Sequence, residues 1–478
     1  MKVSLTLAKP WPWRREIAVI SGAIRWDYAE LAVRVQRRAE RLRAQGLVPG
    51  QVVLAPEVPV LDLLVMQHAL DRLDGGLLPF SRRHGADDLA ALARLAGAEW
   101  RWLPGQEEGG EGGQLVPTGQ GEPPGLPVIP APAPVHFPAP ALVIETSGST
   151  GVPKAVMLSR ETVRASAALT NDRLGLGVGD AWLGCLPPCH VGGLMIGYRC
   201  ALAGATLVVH EGFDAAAVAE DLVHHRVSHL SLVPPMLDRL LALLPAPPPG
   251  LRVLLVGGQA LSGTLGRRAL DGGWPLYLSY GMTETCSHVA LSPRLGALPE
   301  PGQVGPLLPG MAVQCSGTPA APAPIRLAGP LVMAGYAEGD RRPGAGLRDG
   351  WFTTGDLGYV NPAGALVVLG RADQILVIGG EAVVPSRVED RLLTAPGVRA
   401  VALVALPDPV WGHRLVLAYS GDLTPADLEA WCRAHLGDRE RPRGFHRLAA
   451  LPVLASGKPD LCRVRDLVVA AEGTQGRG

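Results

Sequence analysis

Apolar residues between Ile24 and Gly46 recur at three- and four-residue spacing around a polar face rich in arginine, which predicts an amphipathic helix stopped by the glycine. The run VVLAP that follows is continuous rather than periodic, as expected of a short strand buried on both faces. Helical spacing returns in LAALARLAG, so the opening part of the chain predicts a β/α layer. Between Pro104 and Pro140 the pattern collapses into Gly, Pro, Gln and Glu, and a long exposed loop is expected there.

Ala141 to Glu145 (ALVIE) is a second buried-strand run; a Gly/Ser/Thr stretch follows at once, and RETVRASAALTNDRL then reads as a helix. The predicted order is strand, glycine loop, helix. Further runs ATLVVH, VSHLSLV, LRVLLVGG and PLYLSYG alternate with the helical segments AAAVAEDLVHH and PPMLDRLLALL, a pattern that predicts parallel sheets covered by helices. Beyond Pro319 short strands and turns predict a small β-barrel, and from Asp373 a final α+β module begins. The expected fold class is α/β. A large N-terminal domain over 1–372, with two helix-covered, mostly parallel sheets plus the barrel and with 104–140 as its exposed loop, precedes a smaller C-terminal domain over 373–478.

At 478 residues the chain is long enough for at least two cores, and 47% hydrophobic content supports them. Its 44 basic and 44 acidic residues cancel, leaving no broad electrostatic footprint for nucleic acid or an anionic membrane, so an anion site must be local. Seven cysteines without a Cys-x-x-Cys pair predict reduced thiols. Cys185, Cys189 and His190 lie close together without the second ligand pair that zinc requires. The N-terminus has too short an apolar run for a secretory signal, and no run reaches the ~18 apolar residues of a membrane span, so a cytoplasmic protein is expected. Lysine is confined to Lys2, Lys9, Lys154 and Lys458 against 40 arginines. The last two follow glycine closely, in GVPK and SGK, where a compact ammonium does something at a phosphate that a planar guanidinium does not.

The stretch ETSGSTGVPK combines glycines that let backbone N–H groups converge on an anion, hydroxyls from Ser147, Ser149 and Thr150, and the charge of Lys154. It is not a Walker A loop, because the Gly-Lys-Ser/Thr ending is missing. TSGSTGVPK resembles the phosphate loop of the adenylate-forming ligases, the superfamily of acyl-CoA synthetases, luciferases and peptide-synthetase adenylation domains. LPPCHVGGL, VGGQAL, YGMTETCS, GPLVMAGY, WFTTGDLGYV, GRADQILVIGGEAVVPSRVE and LPVLASGKPD then appear in that family's order, so the likeness runs from Ala141 to Lys458.

The resemblance implies an ATP site made of Thr146, Ser147, Gly148, Ser149, Thr150, Gly151 and Lys154 at the phosphates and Gly258, Gln259 and Ala260 at the adenine. Tyr280 and Gly281 would lie beside them, and Asp356 and Arg371 at the ribose. Thr283 is implied at the α-phosphate, Glu284 as the magnesium ligand, Lys458 as the adenylation lysine, and Asp373 as the hinge about which a mobile C-terminal domain turns. LPPCHVGGLMIGYRCALAGATLVV further resembles the o-succinylbenzoate:CoA ligases of menaquinone biosynthesis, which implies an acyl site at His190, Gly192 and Arg199. A dicarboxylic acid needs one carboxylate recognised while the other reacts, and an arginine fork suits that task.

The implied activity is AMP-forming ligation of an acid to coenzyme A with ATP and Mg2+. Another aryl or medium-chain acyl-CoA ligase is the nearest alternative. A nucleotide-binding interaction protein without activity is the other, and loss of Glu284 or Lys458 would have favoured it; both are present. Expected partners are small molecules, not nucleic acid or membrane, with a homodimer as the candidate assembly.

Overall fold

The computed structural model describes residues 12–105, 112–118, 140–146, 153–319, 321–339, 341–372, 375–378, 381–452 and 459–475. Two large sheets dominate it. In the first, eight strands run in the order Ala290–Leu291, Leu276–Tyr280, Val253–Val256, His229–Leu232, Ala181–Gly184, Thr206–Val209, Ile17–Ser21, Ile24–Asp27, and only the two outermost pairings are antiparallel. The second has seven, in the order Gly335–Ala337, Lys154–Leu158, Leu142–Thr146, Gly76–Phe80, Val52–Pro56, Trp100–Pro104, Gly113–Pro117, with a parallel centre.

The continuous apolar runs are explained by burial on both faces. Val253 and Leu255 point into the layer between the sheets, whereas Leu254 and Val256 point outward under helices Ala215–His224, Pro234–Leu243 and Gly263–Asp271. Val53 and Ala55 of the second sheet likewise face the middle layer, and Val52 and Leu54 face helix Ala86–Ala96. Helices Tyr28–Ala44, Val60–Arg72, Arg160–Leu174 and Val191–Ala203 fill the space between. The expected pair of helix-covered, mostly parallel sheets is therefore present.

Three local readings change. Ile24–Asp27 is not the start of the first helix but a strand hairpinned onto Ile17–Ser21, and the helix begins at Tyr28 because Asp27 caps it, its Oδ1 accepting from the Glu30 N–H at 2.7 Å. The glycine stretch after Leu142–Thr146 does not lead into a helix. It leads into the strand Lys154–Leu158, which folds back antiparallel with Thr146 opposite Lys154, and only then comes helix Arg160–Leu174, capped by Ser159. Finally, strands Ala312–Gln314, Ala323–Ala328, Leu347–Arg348, Trp351–Val360 and Leu366–Arg371 form a third, five-stranded antiparallel sheet. Its described ladders leave it open, without the closing pair of a barrel.

The C-terminal module is a small sheet of Val398–Asp408, Gly412–Gly421 and Gly444–Arg447. Alternation again assigns its faces: Leu403, Leu415 and Leu417 pack against helices Pro385–Leu392 and Pro425–His435, while Val404, Val416 and Ala418 pack against Leu461–Gln475. Among the described residues no helix is long and apolar enough to cross a membrane.

Inside the middle layer Arg38 and Asp62, each 3% exposed, meet at 2.6 Å; Trp102 Nε1 donates to the other Asp62 oxygen at 2.7 Å, and the Arg38 guanidinium lies 4.4 Å from the Trp102 ring centroid. Burial lifts the Asp62 carboxyl above its ordinary range, and Arg38 and the indole N–H oppose that. Asp62→Ala strands a charge in the core, so urea unfolding should show a loss of about 3–5 kcal/mol. A loss below ~1 kcal/mol would mean that water reaches Arg38.

Candidate active site

Strands Ala181–Gly184, Val253–Val256 and Leu276–Tyr280 belong to the parallel part of the first sheet, so their carboxyl ends open on one edge, where ligands of such sheets bind. LPPCHVGGL, VGGQAL and YGMTET leave from those three ends. Close backbone approach shapes the edge. Gly258 has φ +75°, and a Cβ on Gly281 would lie 1.9 Å from the Ser287 carbonyl oxygen, which only glycine permits. Thr283–Thr285 form a single 3-10 turn, after which Cys286 and Ser287 take φ +49° and +96°. Ser166 Oγ donates to the Cys286 carbonyl at 2.6 Å and fixes that strained return. Gly258 and Ala260 are exposed and Gln259 half-buried, its Nε2 without a hydrogen-bond partner among the described residues.

Two tyrosines tie this edge to the other sheets. Tyr280 Oη donates to Asp356 Oδ2 at 2.7 Å, and Asp356 pairs in register with Arg371 on the neighbouring strand. Arg371 lies over Gly355, where a Cβ would come within 2.8 Å of the guanidinium. Tyr336, on the edge strand of the second sheet, donates to Glu284 Oε1 at 2.8 Å, and Lys154 Nζ stands 4.9 Å from the centroid of its ring. Burial and then the adjacent carboxylate raise both phenols above the ordinary tyrosine range, while the positive charge of Arg371 acts on both in the opposite sense. Asp356, Arg371, Tyr280, Gly281, Glu284 and Lys154 are thus brought together, with Thr146 directly across the ladder from Lys154.

The residues expected on the acyl side lie on one helix and its N-cap. His190 is exposed at the N-cap of Val191–Ala203; Gly192 and Arg199, seven residues apart, share a face. Arg199 is 1% exposed, and its guanidinium lies 5.5 Å from the Trp182 ring centroid. Its Nε and Nη2 have no hydrogen-bond partner among the described residues, and the neighbours that act on its charge are the thiols of Cys286 and Cys200. Burial pushes the guanidinium down to about 10 and, together with the positive charge of Arg199, drives the His288 imidazole well below its ordinary value. Cys286 lies two residues beyond Glu284, so Arg199 adjoins the back of the YGMTET turn.

Glu284 suits a hard cation: with one carboxylate oxygen engaged by Tyr336, the group keeps another, and magnesium is commonly held by one or two carboxylates plus substrate phosphates. Among the described residues no group of three His, Cys, Asp or Glu could hold a metal by itself. Ser147, Gly148, Ser149, Thr150, Gly151, Asp373 and Lys458 lie outside the described residues. Sequence reading assigned no role to Tyr336, although it closes the GPLVMAGY stretch. It also missed a basic face in the C-terminal module, where Arg439 stacks 3.9 Å from the Trp411 centroid and Arg443 pairs with Asp438 at 3.1 Å.

Comparison with known proteins places these features in a family. Residues 9–337 match the AMP-binding enzymes, and residues 387–458 match the C-terminal domain of the same enzymes. A 2-succinylbenzoate–CoA ligase from Bacillus licheniformis is 30% identical over 455 residues, 92% of this chain and 95% of the relative. A feruloyl-CoA synthase from Amycolatopsis is 31% identical over 474 residues, covering 94% and 96%. The o-succinylbenzoate CoA synthetase of Bacillus subtilis, solved with its acyl-adenylate intermediate, superposes with a TM-score of 0.81 at 25% identity, over 94% of this chain and 95% of that one. The same enzyme solved with ATP and magnesium gives 0.80 at 25% identity, over 94% and 96%. With both family regions matched in order and the motif residues gathered at one sheet edge, the chain belongs to the AMP-binding, adenylate-forming enzymes.

Proposed function

We propose that this chain is an ATP-dependent acid–thiol ligase that adenylates o-succinylbenzoate and transfers the acyl group to coenzyme A, a reaction of menaquinone biosynthesis. One observation carries the choice of acid: Arg199 is buried beside the YGMTET turn with two of its nitrogens lacking a hydrogen-bond partner among the described residues. A guanidinium so placed is costly unless an anion completes it, and the second carboxylate of a diacid has the matching fork geometry. The bacillus ligases at 30–35% identity support the same reading.

In the first step a substrate carboxylate, ionised at neutral pH, forms a bond to the α-phosphorus as the bond to pyrophosphate breaks. No general base is needed. Gly258, Gln259 and Ala260 would receive the adenine, and Asp356 with Arg371 the ribose, Tyr280 holding the Asp356 carboxylate in place. Thr283 would contact the α-phosphate, and the glycine stretch between Thr146 and Lys154 the outer phosphates. Magnesium, held by Glu284, supplies neutralisation of phosphate charge when bound.

Lys458 is the proposed second cation at the reacting phosphate, delivered by a C-terminal domain that turns about Asp373. In the second step the thiol sulfur bonds to the acyl carbon, AMP leaves, and the thiol proton passes to solvent. The arginines beside Trp411 have the chemistry to receive the phosphorylated nucleotide of coenzyme A, aromatic face and cations together. The seven free cysteines, five of them buried in the core, support a cytoplasmic site of action; the partners are these small molecules, with a homodimer as the assembly to test.

A ligase for a monocarboxylic aryl acid is the second reading, favoured by the feruloyl-CoA synthase relative. The two separate on one variant. Arg199→Leu should lower kcat/KM for o-succinylbenzoate by about 10²-fold while leaving ferulate or benzoate turnover unchanged, and should raise the urea midpoint because it removes an uncompensated buried charge. Equal losses on diacid and monoacid would refute the diacid assignment. Lys458→Ala should abolish ATP–pyrophosphate exchange yet still form thioester from supplied acyl-adenylate; exchange at the unmodified rate would remove Lys458 from the first step.

A further inference from the structure

Tyr336 lies where the second sheet reaches the turn of the first. It occupies the strand Gly335–Ala337, opposite Val156 on the strand that begins with Lys154. Its ring rests on Gly346, where a Cβ would come within 2.4 Å of Cδ2 and 2.5 Å of Cε2, so this glycine makes the space the ring occupies. The Tyr336 N–H donates to the Ala345 carbonyl at 2.9 Å and pins the strand to the same segment. The ring is thereby held from its backbone and from one face, and the hydroxyl is aimed at Glu284 Oε1. The Glu284 backbone is fixed to the segment leading into this strand, its carbonyl accepting from Met333 N at 2.8 Å. Lys154 Nζ stands over the ring.

We infer that Tyr336 is the positioning residue of the cation site: by hydrogen-bonding one oxygen of Glu284 it directs the carboxylate toward the magnesium–nucleotide, and its ring seats Lys154 beside the same phosphates. The inference rests on the adenylation reading above. Magnesium demands near-octahedral geometry, so a ligand on a two-carbon arm gains from a partner that limits its rotation.

The test compares the unmodified protein with Tyr336→Phe and Tyr336→Leu. Nucleotide binding is read by calorimetry with and without magnesium, and the magnesium dependence of pyrophosphate exchange is read alongside it. Tyr336→Phe keeps the ring and should raise the half-saturating magnesium concentration about 10–100-fold while leaving metal-free ATP binding and the KM of the acid unchanged. Tyr336→Leu also loses the seat of Lys154 and should weaken metal-free ATP binding as well. An unaltered magnesium dependence in Tyr336→Phe, or a loss that is equal with and without the metal, overturns the inference and leaves adenylation standing. An unmodified protein that neither binds magnesium–ATP nor exchanges pyrophosphate overturns the adenylation reading, and this inference with it.

Discussion

Two short hydrogen bonds from phenol to carboxylate hold three sheets in one arrangement. The first sheet satisfies its backbone internally until its parallel strands end, and the loops that leave that edge have no ladder to position them. Tyr280 to Asp356 joins the edge to the third sheet, and Tyr336 to Glu284 joins it to the second. Each bond joins a phenol to a carboxylate at a half-buried position, where such contacts are direction-dependent. The residues proposed for ribose and for metal are therefore positioned by parts of the chain 76 and 52 residues distant.

The contrast between two buried arginines shows how the same core treats charge in two ways. Arg38 is met by Asp62 and stacked on Trp102, so its burial is compensated within the protein. Arg199 is buried as deeply among an indole and thiols, and burial depresses its basicity. The first arrangement belongs to folding alone. The second leaves electrostatic free energy to be recovered by an anion, which is the ground on which Arg199 is proposed as a specificity residue.

Much of the fold was legible because short apolar runs such as VLLV, bounded by turn residues, fit strands buried on both faces, and period-two alternation then sorts their side chains between layers. Strand order was not legible, since every run has the same apolar character. The hairpin around the glycine stretch was missed because AVML is too short to read as a strand apart from its partner Leu142–Thr146, and that pairing is a tertiary fact. Glu284 and Asp356 stood out in motifs with distinctive spacing. Tyr336 did not, because its importance arises from contacts with Glu284 and Gly346 that no local pattern encodes. The burial of Arg199 was equally hidden in a chain with 40 arginines.

Adjacent glycines at the start of the helix after LPPCH have opposite freedoms. A methyl group on Gly193 would strike the Pro187 and Leu186 carbonyl oxygens at 2.4 and 2.5 Å, whereas one on Gly192 would meet only Leu186 Cδ1, at 3.8 Å. The helix proposed to frame the acyl site therefore excludes a side chain at one position and accepts one at the next. A side chain at Gly192 can be added on the helix face that also carries Arg199 without disturbing the backbone, so the same scaffold leaves room for variation there.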